Sequence, residues 1–312
     1  MIISPVVACH TANDGKPRSM RRRFHLIANP KAGRGRQGLV ADVAARLRAA
    51  GAVVRDCTQA SENASLDEAR FVACKGAADV IVAAGGDGTI RLAAKAVAGT
   101  GVPLGVIPLG TGNVLAHEVG MPRDAAGLAQ LLLEGTAQPV NTAMANSELF
   151  LLMAGAGFDG RIIAALDHGL KGRIGKLAYV PPLLDALGHG ADQLHVAIDG
   201  VAHRAAWVVV ANASRYGGNF VIAPGASILT PGLEVVLFHG GLRRHRLQQL
   251  ASLGLGRRRP PRRGDGAIEQ IKGTKVEITS QLPVPVQLDG DTFIETPLRI
   301  TDGGPEVRMI LP

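Results

Sequence analysis

Asp79-Val80-Ile81-Val82-Ala83-Ala84-Gly85-Gly86-Asp87-Gly88-Thr89-Ile90 is the stretch that decides how this chain folds. An apolar run that reads as a buried strand ends in two glycines, a carboxylate, another glycine and a threonine, and helical spacing begins at Ile90. Glycines let the backbone approach an anion closely and take φ > 0. The helix that follows points free N–H groups and the positive end of its dipole at such an anion. Thr89 is placed to cap that helix, and Asp87 to hold Mg²⁺ or polarise a hydroxyl. The turn suggests nucleotide phosphate handling, although no GxxxxGKS/T occurs in the chain. Alone it is equally consistent with an ordinary strand-to-helix connection, because the chain holds 40 glycines in 312 residues.

Reading outward from this turn, strands and helices alternate. Residues 24–28 read as a buried strand, 39–50 as a helix ended by Gly51, and 53–54 as the start of a second strand. A helix over 66–75 precedes the strand at 80–84; a helix over 90–98 and a strand over 104–107 follow. Such alternation with apolar strands implies a parallel α/β sheet covered on both faces. After a helix at 125–134 the pattern turns strand-rich, with strands at 149–154, 194–198, 205–211, 233–238, 275–279 and 284–288. Asp199-Gly200 signals a hairpin, and helical patches interrupt near 162–166 and 176–187. The expected organisation is a disordered leader at 1–22, a nucleotide-binding α/β domain at 23–140 and a mainly antiparallel, β-sandwich-like substrate domain at 141–295. Residues 296–312 are free to return to the first domain.

Composition narrows the function. Apolar residues make up 46% and aromatics only 3%, too few for a base-stacking nucleic-acid platform, so no nucleic acid is expected. The net charge of +8 is concentrated in Arg21-Arg22-Arg23 and in the cations of 257–263, which read either as solvated loops or as contacts to an anionic membrane surface. Cys9, Cys57 and Cys74 are widely spaced, without metal spacing, and read as reduced thiols of an intracellular, cytoplasmic protein. No run reaches the roughly 18 apolar residues of a membrane span, and Met1 to Cys9 lacks the basic start of a signal peptide. Membrane contact is therefore expected to be peripheral, and exposed β edges leave a homodimer open.

Ligands of parallel α/β sheets bind beyond the carboxyl ends of the strands. Three glycine-rich loops fall there: Asn29-Pro30-Lys31-Ala32-Gly33-Arg34-Gly35-Arg36, the 85–89 turn, and Pro108-Leu109-Gly110-Thr111-Gly112-Asn113. Together they argue for a phosphate site. Near the C-terminus, Gln287-Leu288-Asp289-Gly290-Asp291 reads either as a hairpin turn or as paired carboxylates, one for Mg²⁺ and one for a hydroxyl proton.

These segments resemble the diacylglycerol kinase catalytic-domain family, the soluble lipid kinases that include bacterial diacylglycerol kinases and eukaryotic sphingosine and ceramide kinases. Asn29 to Gly33, Gly85 to Thr89, Pro108 to Asn113, Gly155-Ala156-Gly157-Phe158-Asp159, Gly217-Gly218 with Ile222-Ala223-Pro224, and Leu288 to Asp291 follow in family order. The resemblance implies a phosphofructokinase/NAD-kinase-like sheet, ATP with Mg²⁺, and a lipid alcohol meeting the nucleotide between the domains. It implies a nucleotide site lined by Asn29, Pro30, Lys31, Ala32, Gly33, Thr58, Gly85, Gly86, Asp87, Gly88, Thr89, Ile90, Arg91, Leu92, Thr111 and Asn113. Asp291 stands where the family has its proton acceptor, usually Glu, with Asp87 beside it in catalysis; Asp87 and Asp289 are the candidate metal ligands.

The chain departs from the family pattern at two places. Arg91-Leu92 replaces the usual Asn-Glu, and Pro231-Gly232 replaces an Asp-Gly whose carboxylate helps hold a structural Mg²⁺ in some bacterial members. A proline cannot supply that carboxylate. By sequence, neither change bears on Asp87 or Asp291. The rival readings are an NAD kinase, which shares the glycine-rich turn, and a non-catalytic nucleotide or lipid sensor.

Overall fold

The computed structural model describes residues 21–29, 37–56, 62–167, 169–170, 175–240, 242–254 and 267–312. The first part alternates β1 (Arg23–Ala28), α1 (Gln37–Ala49), β2 (Val53–Asp56), α2 (Glu62–Cys74), β3 (Val80–Gly85), α3 (Asp87–Val97) and β4 (Leu104–Pro108). Two helices, α4 (Val114–Glu118) and α5 (Ala125–Glu134), and β5 (Thr136–Val140) complete it. All six residues of β3 are buried because helices cover both faces of the sheet. Val80, Val82 and Ala84 pack with Val43 and Leu47 of α1 and with Leu128 and Leu132 of α5. Ile81 and Ala83 face the other way, onto Ala69, Ala73, Ile90, Ala94 and Val97 of α2 and α3. The period of two along a strand assigns these faces.

The second part holds β6 (Ala143–Ala145), β7 (Glu148–Phe150), β8 (Met153–Ala156), α6 (Phe158–Ala164), α7 (Val180–Gly188) and β9 (Leu194–Ile198). It continues with β10 (Val201–Ala205), β11 (Trp207–Ala211), β12 (Arg215–Tyr216), β13 (Phe220–Val221), β14 (Leu233–Phe238) and α8 (Arg243–Gly254). It ends with β15 (Ile268–Gly273), β16 (Lys275–Ser280), β17 (Pro285–Leu288), β18 (Asp291–Glu295), β19 (Leu298–Asp302) and β20 (Val307–Leu311). Among the described residues two six-stranded sheets form a sandwich, ordered β10-β9-β16-β19-β6-β7 and β15-β14-β11-β8-β17-β18. Ile198, Val276, Ile278 and Ile300 of one meet Val208, Val210, Val235 and Val286 of the other. The second sheet is buried on its outer face too, where Trp207 stacks on Phe238 at 3.5 Å and meets the edge of Phe158. The fold class read from the sequence, a parallel α/β domain followed by an antiparallel sandwich, is the fold observed.

Two details differ from the reading. The strand expected at 149–154 is two strands in different sheets, broken because the amides of Leu151, Leu152 and Met153 all bond the Asp289 carboxylate instead of a ladder partner. The strand expected at 205–211 likewise splits at Ala206, where the chain changes sheets from β10 to β11. The last strand, β20, lies in the first sheet, parallel to β4 and antiparallel to β5, while β19 belongs to the sandwich. Asp199 and Gly200 both take positive φ and make the two-residue hairpin between β9 and β10.

Candidate active site

In the first sheet β1, β3 and β4 are neighbours and parallel, so the residues after Ala28, Gly85 and Pro108 emerge at one edge. The turn after β3 is tighter than its sequence suggests. Helix α3 begins at Asp87 with Gly86 as N-cap and no side chain bonded to the cap. Thr89 is thus already inside the helix and does not cap it; its hydroxyl accepts from Asn29 Nδ2 at 3.1 Å, tying the end of β1 to the turn. Gly110 of the third loop lies against Gly86 so closely that a Cβ there would stand 2.7 Å from the Gly86 Cα. Only glycine permits that approach.

The Asp87 carboxylate accepts the backbone N–H groups of Val114 (3.0 Å) and Leu115 (3.1 Å). It satisfies amides in the first turn of α4, which Asn113 starts in a left-handed conformation and without a side-chain cap of its own. Expected as a metal ligand, Asp87 serves here as the tie between the second and third loops. The Asn113 side-chain oxygen is buried with no hydrogen-bond partner, and Thr111 is half-buried on the same loop. Ile90, by contrast, does not face the site: at 1% exposure it packs under the sheet. Leu92, one helical turn beyond Gly88, is half-buried. Pro30, Lys31, Ala32, Gly33 and Thr58 lie outside the described residues, as do the cations of 257–263.

A hairpin of the sandwich reaches this edge. Asp289 (φ 50°) and Gly290 (φ 86°) form the two-residue turn between β17 and β18, with Leu288 opposite Asp291. The segment is therefore a hairpin turn, and Asp291 follows directly on it. Asp289 is 5% exposed, and its oxygens accept three amides, from Leu151 (2.9 Å), Leu152 (2.8 Å) and Met153 (2.9 Å). Burial pushes its carboxyl up to about 6, against the pull of those amides and of Arg91. Asp289 is thus a clamp on backbone, not an open ligand as expected. Among the described residues no group of three or more His, Cys, Asp or Glu is gathered to hold a metal ion.

Asp291 is different. Its carboxylate lies on the Cα of Gly88, where a Cβ would overlap it, in the first turn of α3. The Arg91 guanidinium, one turn further on, stands 3.8 Å from it. The departure at Arg91 thus bears directly on Asp291, which the sequence did not foretell. The hairpin is braced from beneath by a buried chain of polar groups that sequence reading missed. Gly290 N–H donates to Gln287 Oε1 at 2.8 Å, Gln287 Nε2 donates to Asp159 Oδ2 at 2.7 Å, and Tyr216 donates its hydroxyl to Asp159. Burial holds the Asp159 carboxyl above the usual carboxylate range. The signal was an aspartate straight after the small, apolar Gly155-Ala156-Gly157-Phe158. Of the basic run 21–23, Arg23 is engaged by Asp79 at 2.6 Å and Arg21 by the Leu132 carbonyl.

Comparison with known proteins agrees with this layout. Residues 23–145 match the model of the diacylglycerol kinase catalytic domain, and 153–310 that of the YegS C-terminal NAD kinase beta sandwich-like domain. The chain belongs to the diacylglycerol kinase family. It is 30% identical over 240 residues to a Pseudomonas putida protein named "Probable lipid kinase YegS-like", covering 74% of this chain and 77% of that one. A Bacillus subtilis protein named diacylglycerol kinase is 35% identical over 127 residues, 40% of this chain and 39% of its own. In fold, the crystal structure of a diacylglycerol kinase from Bacillus anthracis aligns with a TM-score of 0.72 and 21% identity over 95% of this chain and 98% of that one. This chain is a kinase, and its family implies ATP as the phosphate donor.

Proposed function

We propose that this kinase transfers the γ-phosphate of ATP to the hydroxyl of a lipid alcohol such as diacylglycerol or a sphingoid or ceramide-type alcohol, with Asp291 as proton acceptor. The observation that carries the reading is the seating of the Asp291 carboxylate on Gly88, at the uncapped first turn of α3. A phosphate drawn to that helix end by its free amides and dipole comes to rest beside a carboxylate from the other domain. Phosphoryl transfer demands this juxtaposition more than covalent chemistry. The lipid oxygen attacks the γ-phosphorus as its proton passes to Asp291; the bond to the bridging oxygen breaks, and ADP leaves with the electron pair. Asn29, Gly86, Thr111 and Asn113 line the nucleotide side in this reading, with the buried, unpartnered Asn113 amide oxygen available to a ligand.

Magnesium would arrive with the nucleotide phosphates, as Mg²⁺ commonly does, retaining waters and needing few carboxylates. The described carboxylates do not form a cage for it, since Asp87 and Asp289 are spent on backbone amides.

The acceptor is read as a lipid from the sandwich surface. Leu177, Val180 and Leu184 are exposed at helical spacing on and just before α7, and Phe220 and Val221 are exposed in the β12–β13 hairpin. Arg243 and Arg244 at the start of α8 are exposed as well. Apolar side chains mixed with cations suit an anionic bilayer surface. Among the described residues no helix is long and apolar enough to cross a membrane.

The test is phosphate transfer from labelled ATP and Mg²⁺ to vesicles carrying diacylglycerol, a sphingoid base or ceramide, with NAD as a parallel acceptor. Label in one lipid supports the reading and names the substrate. Label in NAD alone, or ATP binding with no transfer to anything, overturns it.

A further inference from the structure

Arg91 is one of the residues at which this chain leaves the family pattern, and it is only 8% exposed. Burying a guanidinium is costly unless its donors are used. Its Nε is buried without a hydrogen-bond partner, and its approach to Asp291, 3.8 Å, is an ion pair too long to be a hydrogen bond. A planar cation with five donors is thus largely buried with its Nε donor unused. Its position explains where those donors point. Gly88 and Arg91 are three residues apart and so share a face of α3, and helical side chains lean toward the helix N-terminus. The guanidinium therefore lies over the same first turn on which the Asp291 carboxylate rests.

We propose that Arg91 binds the phosphoryl group in flight: its guanidinium takes the non-bridging oxygens of the nucleotide γ-phosphate beside Asp291. The inference rests on the kinase reading of this edge and adds a catalytic residue to it. Guanidinium matches phosphate oxygens in a fork and keeps its charge at any working pH. Phosphoryl transfer spreads negative charge over three equatorial oxygens, and a cation placed there counts most where water is excluded. With Asp87 and Asp289 occupied by backbone amides, Arg91 is the described side chain placed to offset that charge next to the proton acceptor. The balance of the step is unchanged: one P–O bond forms to the lipid, one breaks to ADP, and the proton goes to Asp291.

The experiment compares binding of a non-hydrolysable ATP analogue and of ADP, each with Mg²⁺, to the wild type, Arg91→Lys and Arg91→Gln, together with turnover on whichever lipid the wild type phosphorylates. Arg91→Gln is expected to weaken the analogue by about 10-fold or more while ADP changes by less than about 3-fold, and to lower kcat by about 10²-fold or more. Arg91→Lys keeps the charge without the fork and should fall between. Millimolar guanidinium should restore part of the lost turnover. If the analogue and ADP weaken by one common factor, or neither changes, Arg91 only braces the hairpin and the proposal fails. Should Arg91→Gln not fold, the analogue-to-ADP ratio in Arg91→Lys decides: a ratio below that of the wild type supports the proposal, and an unchanged ratio overturns it. Failure of the lipid reading is separable. A wild type that labels no lipid, yet prefers the analogue over ADP through Arg91, leaves this assignment standing and removes only the acceptor.

Discussion

Gly86-Asp87-Gly88 and Asp289-Gly290-Asp291 look alike in sequence, yet they work in opposite ways on the two sides of one cleft. In the first, the glycines make room and the aspartate is spent on structure, holding the amides of Val114 and Leu115 so that the second and third loops stay together. In the second, the first aspartate is likewise spent, on the amides of Leu151, Leu152 and Met153. The residue left over is Asp291, which the hairpin delivers onto Gly88. A carboxylate in a glycine-rich turn is drawn to neighbouring backbone amides that would otherwise be unsatisfied. Buried N–H groups must be paired, and a short acidic side chain is the cheapest partner.

That contrast can be broken most forcefully at Asp291. Asp291→Asn should lower kcat by about 10² to 10⁴-fold while nucleotide affinity stays within about 2-fold, as measured by steady-state kinetics and titration. Unchanged turnover would place the proton acceptor elsewhere. The two structural aspartates come next. Asp289→Asn faces three buried amides with a group that also donates, and should cost about 3 kcal/mol in urea unfolding. Asp87→Asn, which disturbs a partly exposed helix start, should cost about 1 kcal/mol. Equal costs would mean that the two turns are held alike.

Gly88→Ala separates stability from chemistry on the glycine side. Gly88 lies in the first turn of α3, where alanine is tolerated, but the new methyl displaces the Asp291 carboxylate. Turnover should drop by about 10²-fold with melting almost unchanged. A melting loss without a turnover loss would show the contact to be packing only. A further effect concerns pH. The Asp289 carboxyl sits at about 6 in the fold, against about 3.9 in an unfolded chain. Between those values the folded state keeps a proton that the unfolded state has lost, so stability should fall as pH rises from about 4 to 6. The slope reaches at most about 1.4 kcal/mol per pH unit, and Asp289→Asn should lack it.

Much of the first domain was legible because its signals are local. Apolar strands ending in glycine, each followed by 3.6-residue periodicity, specify a doubly covered parallel sheet, and the ligand edge follows from strand direction. The hairpin at Asp199-Gly200 was equally plain, since few residues tolerate its two positive φ values. The sandwich was less legible. One apolar run at 149–154 cannot announce that it turns a corner between sheets, because the group that breaks it, Asp289, is more than 130 residues away in sequence. The Tyr216–Asp159–Gln287–Gly290 chain draws on three distant segments, and none of them carries a local signature of the others.

By itself, then, the amino-acid sequence determined the fold class, the family and the edge where the glycine-rich loops gather, because these depend on periodicity and on backbone freedom within a few residues. Only the tertiary structure decided which carboxylates are spent and which is exposed to chemistry, and that Arg91 sits beside Asp291. Those outcomes depend on which buried amides and charges come within hydrogen-bond reach once the two domains close on each other, a question of distance in space that spacing along the chain does not encode.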